Sequence, residues 1–198
     1  MLSFRKFLEV HYNDEDEGYD DYDGDWGYED DEETDVWTQG CENWTAGGNW
    51  GLCGASGCIV IAKDTGRILV DQRGASVDGG ASYGTYGGAI SHPNQTPEDN
   101  AKEELGEETS YHGPIQFIKA FRYEDRHDEI HDGTPWFYQN FIAIVPKEFN
   151  TTPKAHAAWE TYGGKWVTMD ELEDLEPKHP GLEALIQHSI GIIRQHAR

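Results

Sequence analysis

The feature that most constrains this chain is a glutamate-rich segment, residues 87–111, which reads GGAISHPNQTPEDNAKEELGEETSY. Thr96 is a natural helix N-cap, and Pro97 suits the first helical position because no helix needs its missing N–H there. Asp99, three residues after the cap, predicts a capping box with Asp in place of the usual Glu. Apolar residues then recur at helical spacing up to Leu105. The segment therefore predicts a polar loop that leads into a short helix with one apolar face.

Three glutamates of this helix are expected to lie close together. Glu104, Glu107 and Glu108 are spaced i, i+3 and i+4, so their carboxylates project from one face. Like charges at this spacing destabilise a bare helix by roughly 0.2–0.5 kcal/mol per pair. A hard divalent cation reverses that penalty, because Mg²⁺ and Mn²⁺ bind oxygen ligands. The spacing alone leaves two readings open, a metal site and a solvated acidic helix face.

The segment resembles a Nudix box, which runs Gly, five residues, Glu, seven residues, then Arg-Glu-aliphatic-x-Glu-Glu-x-Gly-aliphatic. Residues 104–108, ELGEE, fit the metal-binding core of that pattern. Three positions depart from it: Gln95 stands in place of the first Glu, Glu103 in place of Arg, and Ser110 in place of Gly. The loop before the helix is also one residue longer. The metal carboxylates are thus retained, whereas the residues that brace the loop in the family are altered.

The order of elements along the chain agrees with the same family. A hairpin signal at 58–70, a long apolar run at 136–145 and an amphipathic helix at 181–197 predict an α/β fold. The resemblance covers roughly residues 57–187, and the sequence of this range is similar to a phage and bacterial Nudix subgroup. It implies the Nudix α/β/α sandwich with a mixed β-sheet, which we expect residues 37–198 to form.

The N-terminal part has a different composition. Residues 11–36 hold 14 of the 38 acidic residues and no Lys or Arg, in a chain whose net charge is −23. High charge with low hydrophobicity predicts that residues 1–36 form a disordered acidic tail. A partial EF-hand match in this tail lacks the glycine that the turn requires, because Trp26 occupies its position. We therefore favour a solvated tail over a calcium site.

Charge and hydropathy also limit the partners. So acidic a chain argues against binding duplex nucleic acid, which requires basic patches. No apolar run reaches the ~18 residues of a membrane span, and the N-terminus is too short and too charged for a secretory signal. Three cysteines leave a Cys41–Cys53 pair open, although we favour reduced cysteines. The expected location is the cytoplasm of a bacterium or of an infected host cell.

The resemblance implies hydrolysis of the pyrophosphate bond in a nucleoside diphosphate linked to another moiety, with Mg²⁺ (or Mn²⁺) as cofactor. It implies that Glu104, Glu107 and Glu108 are metal ligands, and that Glu107 and Glu108 are also catalytic. The expected partner is a small nucleotide of the ADP-ribose, NAD or dinucleoside polyphosphate type. The resemblance is also compatible with a homodimer, since many relatives are dimers. The alternative is a degenerate Nudix domain that binds a nucleotide or a protein partner without turnover, which the altered box positions favour.

Other residues complete the expected site. Glu160 precedes a late strand, where similar Nudix proteins place a carboxylate that reaches the metals or serves as general base, so we assign it to catalysis. Arg73 follows the first hairpin, where family members often hold substrate phosphates, although a surface ion pair is an equal reading. We assign Arg73 and Gly88 to substrate binding, and we expect His179 to position the last helix. The rival candidates for the general base are Glu124, Asp125, Asp128 and Glu129.

Overall fold

The computed structural model describes residues 51, 53–77, 79–92, 94–125 and 136–198. The predicted tail, its partial EF-hand match and the rival bases Asp128 and Glu129 lie outside these residues. In chain order the elements are β1 (Ala55–Ala62), β2 (Ile68–Arg73), β3 (Tyr83–Gly84), β4 (Tyr86–Ala89), α1 (Pro97–Thr109), β5 (Gln116–Asp125), β6 (Trp136–Val145), β7 (Thr161–Val167), α2 (Met169–Glu173) and α3 (Pro180–His196).

The described strands form one mixed sheet in the order β3-β2-β1-β6-β5, while β4 pairs with β1 and β7 pairs with β2. Strands β1 and β6 are parallel along their length, from Ala55 opposite Tyr138 to Ala62 opposite Val145. The other pairs are antiparallel. Every residue of β1 is buried, and β6 is buried almost throughout. The apolar run at 136–145 is therefore a central strand, as its sequence predicts.

Two apolar cores lie on opposite faces of the sheet. Ile59 of β1 belongs to the core that contains Leu185 of α3. The next residue of β1, Val60, belongs to the core that contains Leu105 of α1. Successive side chains of a strand point to opposite faces, so β1 contributes to both cores. The sheet lies between α1 and α3, which confirms the predicted α/β/α sandwich with a mixed sheet.

His179 begins the last helix. Its Nδ1 accepts a hydrogen bond of 3.1 Å from the N–H of Gly181, and burial lowers its pKa to about 4. A neutral ring is what this contact requires, because a protonated Nδ1 has no lone pair to offer. His179 is thus the N-cap of α3, which agrees with the positioning role expected for it.

Two further expectations concern the cysteines and the membrane. Cys53 is disulfide-bonded, so the reduced state that we favoured for it is not the one found. Cys58 is a free, fully buried thiol, and burial raises its pKa. Within the described ranges, no helix is long and apolar enough to cross a bilayer.

Candidate active site

Local chemistry fixes both ends of α1. At its start, the Thr96 hydroxyl accepts the N–H of Asp99 at 3.1 Å and donates to the Asp99 carboxylate at 2.7 Å. At its end, Ser110 adopts a left-handed conformation with φ of 58° and donates its N–H to Gly106. That conformation favours glycine, which explains why the family pattern has Gly here. The Ser110 hydroxyl compensates by donating to the Thr152 carbonyl at 2.5 Å.

Glu104 lies against β4. A Cβ added to Gly88 would overlap the Glu104 carboxylate, so only glycine allows this close approach. The Gly88 carbonyl is fixed by the Asn100 side chain, which donates to it at 3.0 Å. Burial raises the pKa of Glu104 to about 7, with further contributions from the negative charges of Glu160, Glu107 and Glu103. The absence of a side chain at Gly88 thus leaves room for the Glu104 carboxylate against β4.

Glu108 is the most enclosed carboxylate of the helix, with 4% of its surface exposed. It accepts a hydrogen bond of 3.0 Å from the N–H of Gly87. Burial raises the pKa of Glu108 well above its usual value, and the charges of Asp71, Glu104 and Glu160 raise it further. Glu108 is therefore a buried carboxylate that receives one hydrogen bond in the described structure. Its charged form is also disfavoured by the neighbouring acids.

Glu107 faces a different group of residues. Its carboxylate lies 3.5 Å from the Lys154 ammonium and 2.9 Å from the His156 Nε2 atom. The hydrogen bond with His156 lowers the pKa of Glu107 more than any other contact does. The backbone N–H of Lys154 donates to the Glu107 carbonyl at 2.7 Å, and that of Thr152 donates to Thr109 at 3.0 Å. The chain between β6 and β7 therefore satisfies the carbonyls at the end of α1.

Glu160 precedes β7 and completes the carboxylate cluster. Its charge raises the pKa of both Glu104 and Glu108, so the three carboxylates interact electrostatically. Burial raises the pKa of Glu160 itself, while the charges of Arg73 and His156 oppose that shift. The Glu160 carbonyl accepts from the N–H of Gly74 at 2.7 Å, which holds this residue beside the end of β2.

Arg73 and the rival bases take separate positions. Arg73 ends β2, and its positive charge lowers the pKa of Asp71 and of Glu160. Its guanidinium therefore acts on the edge of the carboxylate cluster. Glu124 lies on β5 in an ion pair of 2.8 Å with Arg122. Asp125 is the last residue of that strand. Neither residue was expected to be part of a strand, since both fall in what reads as a charged loop.

Three residues of this site were not expected from the sequence: Asp71, Lys154 and His156. Asp71 is 1% exposed and accepts a hydrogen bond from the Thr161 hydroxyl. Burial raises the pKa of Asp71 to about 7. Two weak signals existed, a polar residue inside the apolar strand β2 and a His four residues before Glu160. Neither signal indicates a partner, because the contacts depend on the pairing of distant strands.

The donors fit a divalent cation in type and charge. Glu104, Glu107, Glu108 and Glu160 offer carboxylate oxygens, and their mutual repulsion is the kind that a hard cation relieves. Within the part of the chain that the structure describes, no three Asp, Glu, His or Cys side chains are already arranged around a common metal position. Glu107 and Glu108 contact protein groups instead. Magnesium binds through one or two carboxylates together with water and phosphate oxygens, so it does not require a closed protein cage.

Comparisons with known proteins agree with the fold. The model of the NUDIX domain matches residues 52–188. No sequence among curated proteins matches the chain. A Nudix hydrolase from M. smegmatis, RenU, is 24% identical with a TM-score of 0.58, covering 72% of this chain and 86% of that one. The NUDIX domain of Shewanella oneidensis NrtR, solved with ADP ribose, is 14% identical with a TM-score of 0.52, covering 67% and 83%. The E. coli ORF135 protein is 18% identical with a TM-score of 0.51, covering 71% and 89%.

Proposed function

This chain belongs to the NUDIX domain family and is a hydrolase, and from that premise we propose that it cleaves the pyrophosphate bond of a small nucleoside diphosphate derivative with the help of Mg²⁺ or Mn²⁺. The observation that carries the proposal is the electrostatic interaction of Glu160 with the glutamates of α1. Glu104 and Glu108 both have raised pKa values, chiefly because of burial and in part because of the charge of Glu160, and the charge of Glu104 also raises the pKa of Glu108. Several acids that raise one another's pKa values favour a site that binds a cation during the reaction.

The metal, when bound, neutralises the diphosphate oxygens and acidifies the attacking water. The chain's own residues supply the remaining parts. Glu104, Glu107 and Glu108 are the proposed ligands, and the absence of a side chain at Gly88 leaves room for the Glu104 carboxylate. For Glu107 to serve as a ligand, it must exchange its contacts with Lys154 and His156 for the cation.

Glu160 is the proposed general base. Burial raises its pKa, so the carboxylate is a stronger proton acceptor than an exposed glutamate. It remains partly exposed, which leaves it open to a water molecule. Arg73 lies close enough to lower the pKa of Glu160, and its guanidinium is the group suited to substrate phosphate oxygens at this edge of the cluster.

The substrate class follows from charge and size. A net charge of −23 opposes long nucleic acid, so a small soluble nucleotide of the cytoplasm is the better match. The NrtR domain, similar in fold, was solved with ADP ribose. We therefore place ADP-ribose first, with NAD and dinucleoside polyphosphates as further candidates. All three contain the pyrophosphate linkage that the proposed chemistry requires.

The test is a turnover screen of these nucleotides with Mg²⁺ and with Mn²⁺. The wild-type protein is compared with Glu107→Gln, Glu108→Gln and Glu160→Gln, each of which removes one charge with little change of shape. We expect each substitution to lower kcat by about a hundredfold or more, in the range that positioned acid–base groups contribute. The matched control is Glu98→Gln, an exposed acid in the first turn of the same helix.

Two results would overturn this function. One is the absence of turnover for every nucleotide tested with either metal, which would leave a domain that binds without hydrolysis. The other is turnover that the Glu107 and Glu108 variants retain at the level of Glu98→Gln. Loss confined to Glu107 and Glu108, with Glu160→Gln unaffected, would instead keep the metal site and reject Glu160 as the base.

A further inference from the structure

Gln95 uses almost all of its hydrogen-bonding capacity in the loop that precedes α1. Its side-chain oxygen accepts from the N–H of Ser91 at 2.9 Å and from the Ser91 hydroxyl at 3.0 Å. Its side-chain nitrogen donates to the Glu103 carboxylate at 2.7 Å. Its backbone N–H donates to the His92 carbonyl at 3.1 Å. One side chain thus ties the loop to itself and to the second turn of the helix.

The chemistry of the partners fixes how the amide of Gln95 is oriented. The N–H of Ser91 can only donate, so it must contact the amide oxygen. The Glu103 carboxylate, when ionised, can only accept, so it must contact the amide nitrogen. A glutamate at position 95 would satisfy Ser91 but would place a negative charge against Glu103. An amide is therefore the group that serves both partners at once.

The other end of the same loop lies at the carboxylate cluster. Gly88 packs against Glu104, the residue that follows Glu103 in the helix. The Asn100 side chain donates to the Gly88 carbonyl and to the Ser56 hydroxyl, both at 3.0 Å, which fixes this end to the sheet. The loop therefore spans from β4 to α1 with one anchor at Asn100 and a second anchor at Gln95.

We propose that Gln95 and Glu103 form a positioning pair that holds this loop closed on α1 and so keeps the Glu104 carboxylate aligned for metal binding. The proposal rests on the proposed function, since it assigns a role at the same site. Neither residue is among the proposed metal ligands or catalytic groups. The pair occupies two of the three positions at which this sequence departs from the Nudix box, and here a neutral donor meets a carboxylate.

The experiment is a charge exchange between the two positions. Three variants are made, Gln95→Glu, Glu103→Arg and the double variant, together with Asn94→Asp as the control. Asn94 is an exposed residue of the same loop, so the control adds the same charge one position away. Three quantities are measured on the full chain: the Kd for Mn²⁺ by calorimetry, the exchange rate of the Ser91 amide hydrogen without metal, and the Mn²⁺ concentration that gives half-maximal turnover.

We expect Gln95→Glu to weaken Mn²⁺ binding about three- to tenfold relative to Asn94→Asp and to speed exchange of the Ser91 amide, because a charge-assisted hydrogen bond is replaced by repulsion. The double variant should return both values to within about twofold of wild type, since it places a cation against a carboxylate. The half-maximal Mn²⁺ concentration should follow the Kd while kcat at saturating metal stays unchanged. A pair that only stabilised the fold would leave the Kd for Mn²⁺ unchanged in all of these variants.

The pair is rejected if Gln95→Glu matches Asn94→Asp in both Mn²⁺ affinity and Ser91 exchange. It is also rejected if the double variant shows no rescue while its melting temperature equals that of wild type. If no nucleotide is hydrolysed, the proposed function fails, but Mn²⁺ affinity still decides the role of the pair. If Mn²⁺ does not bind to wild type, the alignment role fails with the function, whatever the Ser91 exchange shows.

Discussion

The Nε2 atom of His156 lies 2.9 Å from Oε2 of Glu107, and the Lys154 ammonium lies 3.5 Å from Oε1 of the same carboxylate. Both partners come from the connection between β6 and β7. A glutamate that the sequence marks as a metal ligand is therefore engaged by protein groups. Any cation that binds Glu107 competes with these two contacts.

We expect Lys154→Ala to lower the Kd for Mn²⁺ about two- to threefold, because it removes the ammonium that competes with the cation for Glu107. The effect is small because both side chains are partly exposed to solvent, which screens the pair. Calorimetric titration at low and high ionic strength measures it, and the gain should shrink as salt rises. Lys147→Ala, an exposed lysine without an ion pair in the described structure, is the control. Weaker Mn²⁺ binding by Lys154→Ala would contradict the competition.

Gly88→Ala should separate metal binding from stability. The three atoms nearest to the added Cβ all belong to the Glu104 carboxylate, which is the end of a flexible side chain and can turn away. We therefore expect a melting temperature close to wild type and a Kd for Mn²⁺ that rises about tenfold. The control is Gly191→Ala in α3, where a Cβ meets nothing within 4 Å. That change should stabilise the fold by about 0.5–1 kcal/mol without altering Mn²⁺ affinity. A Gly88→Ala protein that binds Mn²⁺ normally would show that Glu104 does not depend on this contact.

Asp71→Asn should stabilise the fold, and the gain should depend on pH. Burial raises the pKa of Asp71 from 3.8 to about 7, so the folded state holds a proton that the unfolded chain has released. The stability that this proton contributes is complete below about pH 4 and is lost as the pH rises through about 7. The amide removes the ionisation and can still accept from the Thr161 hydroxyl.

Thermal unfolding between pH 4 and pH 8 measures this gain. It should grow from about pH 4 to pH 7, reach roughly 1–3 kcal/mol, and level off above. Asp64→Asn, an exposed acid in the turn between β1 and β2, is the matched control and should show no such trend. A gain that falls with rising pH would mean that Asp71 is stabilised as a carboxylate.

Metal affinity should weaken on the acidic side of neutrality. The pKa of Glu104 is raised to about 7, chiefly by burial, so a cation must displace a proton from it at lower pH. We expect the Kd for Mn²⁺ to rise about tenfold between pH 8 and pH 6, as one released proton requires. In Glu104→Gln the Kd should be larger at pH 8 and should change less over the same interval. An equally steep pH dependence in that variant would assign the proton to another carboxylate.

Removal of residues 1–36 should leave turnover within about twofold of wild type. The match to the NUDIX domain begins at residue 52, and the acidic segment 11–36 supplies none of the carboxylates that carry the proposed site. The measurement compares kcat and KM of the full chain and of the truncated protein at two salt concentrations. A large loss of turnover that salt does not alter would show that the tail shapes the active site.

The parts of the site that the sequence predicts are those that local chemistry determines. The cap at Thr96 and the spacing of Glu104, Glu107 and Glu108 follow from helix geometry, which acts over a few residues. The apolar run of β6 likewise indicates its buried position. The position of Glu160 came only from the family resemblance, since its distance in sequence from α1 carries no information about contact.

The remaining contacts depend on pairings between distant segments. Asp71 meets Thr161 because β2 pairs with β7, with Arg73 opposite Thr161 across an irregular register. Gln95 meets Glu103 across a loop, at a separation that no helical rule covers. The altered box positions therefore looked like lost interactions in the sequence, whereas the structure has other bonds at Gln95, Glu103 and Ser110.

The hydrogen bonds from Thr152 and Lys154 to the end of α1 have a consequence for how this protein tolerates insertions and deletions. They pin the connection between β6 and β7 at its middle, with Glu160 a fixed number of residues further on. One residue added or removed between Lys154 and Glu160 would shift that carboxylate by up to about 3.3 Å, which is more than a metal–oxygen bond length. We therefore expect a change in the length of this segment to lower activity more than a substitution of its exposed residue Ala158 does.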